Sequence, residues 1–517
     1  MTAVASVMAY SRRLPSLALT SLWVLAVFSP VLLLTAESAA ETLRNPELLA
    51  LALPTGRRLG LLVNSLGLSA AVSLSAVVVG LLAGSVLWEW DAGPWSRLRW
   101  LLLALVPVPP YIHALSWMTA LDWLGVSTAG WAPTFLVEFM AYLPLGLGLS
   151  LIGYMGVDAS MVEAARLHRP DGDVFTRVVV PLVAPALVAA GGLVFAFTVT
   201  DYSVPTLFSV NVYSLEVFSD FSASNQAARS MMLSVPILLA TMLALWASQS
   251  SLRSVVQSDA SNRPAPRLSY PAWLGSLRLI GLGVACAQAL VLAVTLVSAS
   301  GGPGSVVYAV SSAHGDIGFT LFQAAATAAL CVPLAFVAAD HMRRGSGPWW
   351  LMAVAPLAVP SPLVGISVLR LAGASGLLYG SWAAPVLGTV VRFTPVASLA
   401  ALAQLKRLDP LLLDAADLFG GTLGRAWFRV RLPLQAPGLA AAAALVFAFT
   451  MGEMGATLLT VPPGVSTVTI RVFNYLHYGG SDVVAGLCLV MVAAMAAAGL
   501  IGLTAFSLRR DSGGRSE

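Results

Sequence analysis

Apolar runs close to the ~20 residues that cross the hydrocarbon of a bilayer recur along the whole of this chain, and they leave few folds open to it. With 517 residues, 58% hydrophobic and only 10% charged, and a mean hydropathy of +0.84, a soluble fold would have to hide nearly all of that surface. A bilayer removes the need. Twelve spans are predicted: 16–36, 60–86, 100–120, 134–155, 182–203, 230–249, 277–298, 316–339, 349–370, 381–404, 434–456 and 483–508. The fold class is therefore all-α and polytopic. The first run follows Arg12 and Arg13, but it is long and contains Pro30, so it reads as a span rather than a cleaved leader.

Orientation follows from the loops. One side carries most of the arginines, among them Arg12, Arg13, Arg97, Arg166, Arg169, Arg343, Arg344 and Arg407, with Lys406. The other carries only Arg44, Arg57, Arg58, Arg229 and Arg471. The positive-inside rule then puts both chain ends in the cytoplasm of a bacterium, with the protein in its plasma (inner) membrane. This distribution accounts for the net charge of +4 as topology, not as a nucleic-acid footprint. Cys286, Cys331 and Cys488 all lie inside apolar runs and read as small core residues. The five histidines form no ligand spacing, so no metal site is expected.

The two halves of the chain repeat. Leu193-Val194-Phe195-Ala196-Phe197-Thr198 recurs as Leu445-Val446-Phe447-Ala448-Phe449-Thr450, an offset of 252 that also carries Pro181 onto Pro433 and Pro185 onto Pro437. Each copy is followed at the same offset by an acid, Asp201 and Glu453. Six spans return the chain to its starting side, so the halves are expected to be parallel and related by an axis along the membrane normal. The polar, Pro- and Ser-containing segment 250–275 reads as a cytoplasmic linker between a first half, 1–249, and a second, 276–517.

Ahead of each repeated hexapeptide lies a long loop, 156–181 and 405–433. The second contains Asp414-Ala415-Ala416, then Gly420, and ends at Leu432-Pro433. The first contains Glu163-Ala164-Ala165 and ends at Val180-Pro181. It is one residue shorter, with Arg169 in the place of the glycine and Gly172 beyond it. Alanines let a short helix dock closely in a groove of another protein, and glycine permits a sharp turn after it. An acid near the helix start is favoured by the dipole, and proline suits the first turn of the next span. These loops resemble the EAA signature of binding-protein-dependent ABC importer permeases. The resemblance covers nearly the whole chain and looks most like the fused, two-domain permeases of the ferric-iron type, whose relatives include thiamine and phosphonate permeases. Asn64-Ser65-Leu66, Pro107-Val108-Pro109-Pro110-Tyr111, Arg392-Phe393-Thr394-Pro395 and Gly452-Glu453-Met454-Gly455 are among the stretches that lean that way.

The resemblance implies a type I ABC importer permease fold, and two copies of an ATP-binding subunit whose clefts receive Glu163, Ala164, Ala165, Gly172 and Pro181 from one loop and Asp414, Ala415, Ala416, Gly420 and Pro433 from the other. It also implies a separate solute-binding protein, with ferric iron as the leading solute and thiamine or a phosphonate as alternatives. The unequal first loop is expected to turn later, at Gly172. The chain itself has no phosphate-binding loop: its single lysine, Lys406, has no glycine ahead of it. ATP is thus expected to be used by a partner, with no cofactor on this chain and no enzymatic activity of its own.

Charge inside hydrocarbon costs a few kcal/mol, which makes each instance a candidate for function. Arg392 sits near the middle of a span, while Asp201, Tyr202 and Glu453 lie toward the outer ends of spans and are candidates for the path or its gate. For Arg392 two roles are open, a pathway role or pairing with a carbonyl or an acid of a neighbouring helix. Pro107, Pro109, Pro110, Pro356, Pro360 and Pro362 are expected to break spans three and nine. Trp88, Trp90, Trp95 and Trp100 read as interfacial anchors. The competing class is a twelve-span secondary transporter, which would not need the duplicated loops and would carry more ionisable groups inside the membrane. A membrane enzyme lacks any catalytic constellation here.

Overall fold

In the computed structural model, residues 2–90, 95–257, 267–344, 347–376, 378–406, 432–478 and 481–507 are described, together with Leu408, Leu411 and Arg429. Among them there is no strand. The first half runs α1 (Thr2–Arg44), α2 (Arg57–Glu89), α3 (Trp95–Leu103), α4 (Pro110–Trp123), α5 (Trp131–Met155), α6 (Ala159–Arg166), α7 (Asp171–Val174), α8 (Val180–Thr200), α9 (Ser203–Leu207), α10 (Tyr213–Ser224) and α11 (Ala227–Gln257). The second runs α12 (Ala272–Ala299), α13 (Pro303–Ser312), α14 (His314–Arg344), α15 (Gly347–Val354), α16 (Ser361–Ser375), α17 (Ala383–Lys406), α18 (Leu432–Met451), α19 (Thr457–Thr460), α20 (Val468–Tyr478) and α21 (Ser481–Ser507). Helices α5 and α17 begin 252 residues apart, as do α8 and α18.

Ten helices among the described residues are long and apolar enough to cross a membrane, with an eleventh if the bent pair Gly347–Ala358 and Ser361–Ser375 is one span. The twelfth expected span, 100–120, is divided between α3 and α4. Both breaks fall at proline. Pro109 precedes α4 with an extended backbone, φ −71° and ψ 148°. Pro360 does the same for α16 at φ −55° and ψ 141°, where the chain bends by 96°. A proline has no N–H to donate and disfavours helix in the residue before it, so each pair begins a new helix instead of continuing the old.

Outward faces are apolar, with Leu19, Leu22, Leu25 and Leu32 of α1 all about half or more exposed. Side chains this apolar on an outer face suit lipid rather than water. Inside the first half, α2 and α5 meet backbone to backbone. A Cβ on Gly80 would sit 2.8 Å from the carbonyl carbon of Gly146, so only glycine allows this approach. In the second half α14 meets α17 through a hydroxyl pair, Thr327 and Thr389, 2.6 Å apart.

The first helix of each half crosses to the other. Helix α1 packs on α11 of its own half and on α14 and α16 of the second, where Arg370 donates to Glu37 at 2.8 Å. Helix α12 packs on α21 and reaches back to α2 and α4. There Trp117 donates its indole N–H to Gln288 at 2.8 Å, and Gln288 meets the buried His113. Of the expected tryptophan anchors, Trp88 is instead core: it is 8% exposed and stacks on Tyr154 at 5.2 Å. Cys331 and Cys488 are buried and Cys286 is partly so, all as free thiols.

Candidate functional site

Between α5 and α8 the first long loop folds into two short helices and a π turn over Phe175–Val179. Helix α6 starts where the Asp158 carboxylate accepts the N–H of Ser160 at 2.9 Å. That side chain caps the helix, so Glu163, one turn further in, is not the dipole-favoured acid expected near its start. Val162 is fully buried and ties α6 to a core that includes Val157, Val174, Phe175 and Val179. The opposite face is open: Glu163 and Ala164 are exposed, Met161 is 55% exposed and Leu167 80%. Helix α6 thus has a buried underside, and its open side carries Met161, Ala164 and Leu167 beside Glu163.

The turn after α6 differs from expectation. It is made at Leu167, in ordinary helical conformation, and at Pro170, φ −65° and ψ 150°. It therefore comes before Gly172, which sits inside α7 and does not take a left-handed conformation. Gly172 instead lies close against the segment before α12: a Cβ there would sit 3.0 Å from the ring of Pro271, a tight contact. Pro181 occupies the first turn of α8, as its missing N–H predicts. Asp414, Ala415, Ala416 and Gly420 of the second loop lie outside the described residues. Pro433 again stands in the first turn of the following helix, α18.

The segment before α12 grips the first loop. Asp171 accepts from Arg166 at 2.9 Å and from the N–H of Ser269 at 2.6 Å. Phe175 packs edge-on against Tyr270, centroids 5.4 Å apart. The Tyr270 hydroxyl donates to Glu89, the last residue of α2. Burial, and next the Glu89 carboxylate beside it, push that phenol well above its ordinary range, so it stays a donor. Arg278 of α12 completes the cluster. It pairs with Glu89 at 2.7 Å, both side chains under a tenth exposed, donates to Ser85 at 2.7 Å and lies 3.5 Å from the Tyr270 ring centroid. Sequence reasoning missed this pair, because Glu89 and Arg278 sit at span edges where charge is commonplace.

The path candidates gather at the far ends of α8 and α18. Each repeated acid caps the short helix that follows it. Asp201 accepts the Ser203 N–H at 2.9 Å and its hydroxyl at 2.8 Å. Glu453 accepts the N–H groups of Ala456 and Thr457, both at 3.0 Å, and the Thr457 hydroxyl at 2.8 Å. Arg392 of α17 faces Glu453, Nε to Oε1 3.7 Å, so the structure shows the pairing role for it with one of the path candidates. Tyr202 is 4% exposed, stacked on Phe218 at 5.4 Å, with its hydroxyl unpartnered. Tyr142 stacks on Phe197 and Phe393 on Phe449; Phe197 and Phe449 correspond at the offset of 252, while Tyr142 corresponds to Thr394. Glu138 of α5 was not singled out from sequence, although a lone acid in an apolar span was the available signal. Its side chain is fully buried and neither carboxylate oxygen has a hydrogen-bond partner.

Among known proteins, no family model matches the chain. It is similar to molybdenum transport system permease protein ModB of Haemophilus influenzae, 28% identical over 153 residues, covering 26% of this chain and 67% of that one. Over 156 residues it is 32% identical to PhnV of Salmonella typhimurium, a protein named for 2-aminoethylphosphonate transport; the match covers 28% of this chain and 56% of the relative. Putrescine transport system permease protein PotI of Escherichia coli is 26% identical over 203 residues, 37% of this chain and 71% of PotI. The chain is thus an all-α, multi-pass protein whose relatives are transport-system permeases.

Proposed function

We propose that this chain is the membrane-spanning permease of an ABC importer, with both permease halves on one polypeptide. The observation that carries the reading is the α6 loop, whose valines anchor in the core while Met161, Ala164 and Leu167 stay open for another protein. Two ATP-binding subunits would dock on this loop and on its counterpart at 405–433, and a binding protein would deliver solute from the opposite side. The arginine-rich ends and both termini are assigned to the cytoplasm. Ferric iron is the solute we put first, on the resemblance to iron-type permeases. A phosphonate, favoured by the likeness to PhnV, and thiamine are the alternatives.

Vesicles holding this chain, its ATPase and its binding protein test the reading. They should accumulate iron(III) only with ATP on the ATPase side, and the purified chain alone should hydrolyse none. Uptake driven by an ion gradient without ATP would overturn the proposal in favour of a secondary transporter. Accumulation of a phosphonate or thiamine instead of iron would change the solute and leave the class standing.

A further inference from the structure

The two halves differ where their symmetry would have them agree. At the offset of 252 that superposes α5 on α17, Arg392 corresponds to Met140 and Glu138 to Val390. Glu453 therefore has an arginine from the neighbouring helix, whereas its counterpart Asp201 has a methionine at that place and a second acid half a turn away. Glu453 is satisfied on both oxygens. Asp201 uses one oxygen as a cap and leaves the other, Oδ2, buried without a partner.

We infer that Glu138 and Asp201, with the phenols of Tyr142 and Tyr202, form a site for a positively charged solute on the first-half side of the path. Helix α5 packs on both α8 and α9, which bracket Asp201: Tyr142, one turn from Glu138, stacks on Phe197 of α8, and Val137, next to Glu138, shares a buried cluster with Val204 of α9. Tyr142 is within reach of both acids, and Tyr202 of Asp201 and Glu453. Unpartnered oxygens at Glu138, Asp201 and Tyr202 are costly to bury, and a cation supplies what they lack. Arg392 stands nearby, but Glu453 offsets its charge, so among the described residues no unpaired base is left to meet the two acids.

Among the described residues no three His, Cys, Asp or Glu side chains converge as metal ligands. The site therefore suits transient passage of a cation, whether a hard metal ion or an alkylammonium group, rather than tight chelation. Glu138 is fully buried, so the site is shut in this conformation and opens only with the path.

The inference rests on the permease reading for its role and is tested apart from it. The full chain, in nanodiscs with its ATPase, is incubated with radiolabelled iron(III), putrescine or molybdate, with and without a non-hydrolysable ATP analogue. Wild type should retain iron(III) or putrescine in at least one state, and the one retained names the source of the charge. Glu138→Gln, nearly isosteric, should lower that retention about tenfold at unchanged elution volume, as should Glu138→Val, which copies the second half. Retention of neither cation, unchanged retention in both variants, or preference for molybdate overturns the site. If the ATPase assembles on the chain but no cation is held, the permease reading survives and the site falls. If cations are held but no ATPase assembles, the reverse follows.

Discussion

At the scale of single residues, Arg392 shows how a charge is kept inside a membrane protein. Its side chain is 20% exposed and its partner Glu453 3%, and that partner is itself fixed by three further hydrogen bonds. Arg392→Met gives the second half the residue of the first and leaves Glu453 buried without its base. Losing one member of a buried pair costs about 3 kcal/mol, so thermal unfolding of the detergent-solubilised chain should begin several degrees lower. The double variant Arg392→Met with Glu453→Gln should recover part of the loss, because the remaining group is neutral and its one amide oxygen still accepts on one side, from Ala456 or from Thr457. No recovery in the double variant would mean the arginine acts through something other than Glu453. Asp201, Arg392 and Glu453 were legible in the sequence because charge stands out in apolar runs. Their pairing was not, since which acid an arginine meets depends on how helices rotate against one another. Glu138 was equally legible and went unread, lacking the repeat that drew attention to the other two acids.

At the scale of elements, the grip on the first long loop follows from packing that no spacing rule predicts. The loop's helix and the proline that opens the next span were readable, but not the helix's buried underside or the contact between α7 and the segment 267–271. That contact joins residues nearly a hundred positions apart and is made by Ser269, Tyr270 and Pro271. It makes the ion pair of Glu89 and Arg278 the joint between the loop and α12, a helix of the other half. Arg278→Gln removes the charge and leaves Glu89 buried beside Tyr270, at a cost of about 3–5 kcal/mol. On the permease reading, the variant should still bind its ATPase through α6 but import severalfold less solute per ATP hydrolysed. A proportional fall in uptake and hydrolysis, with their ratio unchanged, would show that the pair serves folding alone. The proline breaks at 109 and 360 belong to the same scale and were legible, because proline acts on its own backbone and on that of its immediate neighbour.

At the scale of the whole molecule, the helical class and the order of spans followed from hydropathy, since a bilayer leaves helices as the way to satisfy a long apolar backbone. Sidedness is open to direct measurement. With Cys286, Cys331 and Cys488 replaced, cysteines at Ser258 and Thr422 should be shielded from an impermeant external thiol reagent, and one at Ser224 should label. External labelling at Thr422 would reverse the orientation and remove the docking role from its loop. The exchange of first helices has a consequence for how the protein is made. Glu89 and His113 of the first half find Arg278 and Gln288 only on α12, which ends at Ala299. A ribosome adding about 5–20 residues per second needs roughly 10–40 s to get from Glu89 to Ala299. For that interval the nascent first half waits without the arginine that pairs with Glu89 and the amide that meets His113. Whatever shelters Glu89 and His113, insertion machinery or lipid headgroups, is part of the folding of this protein.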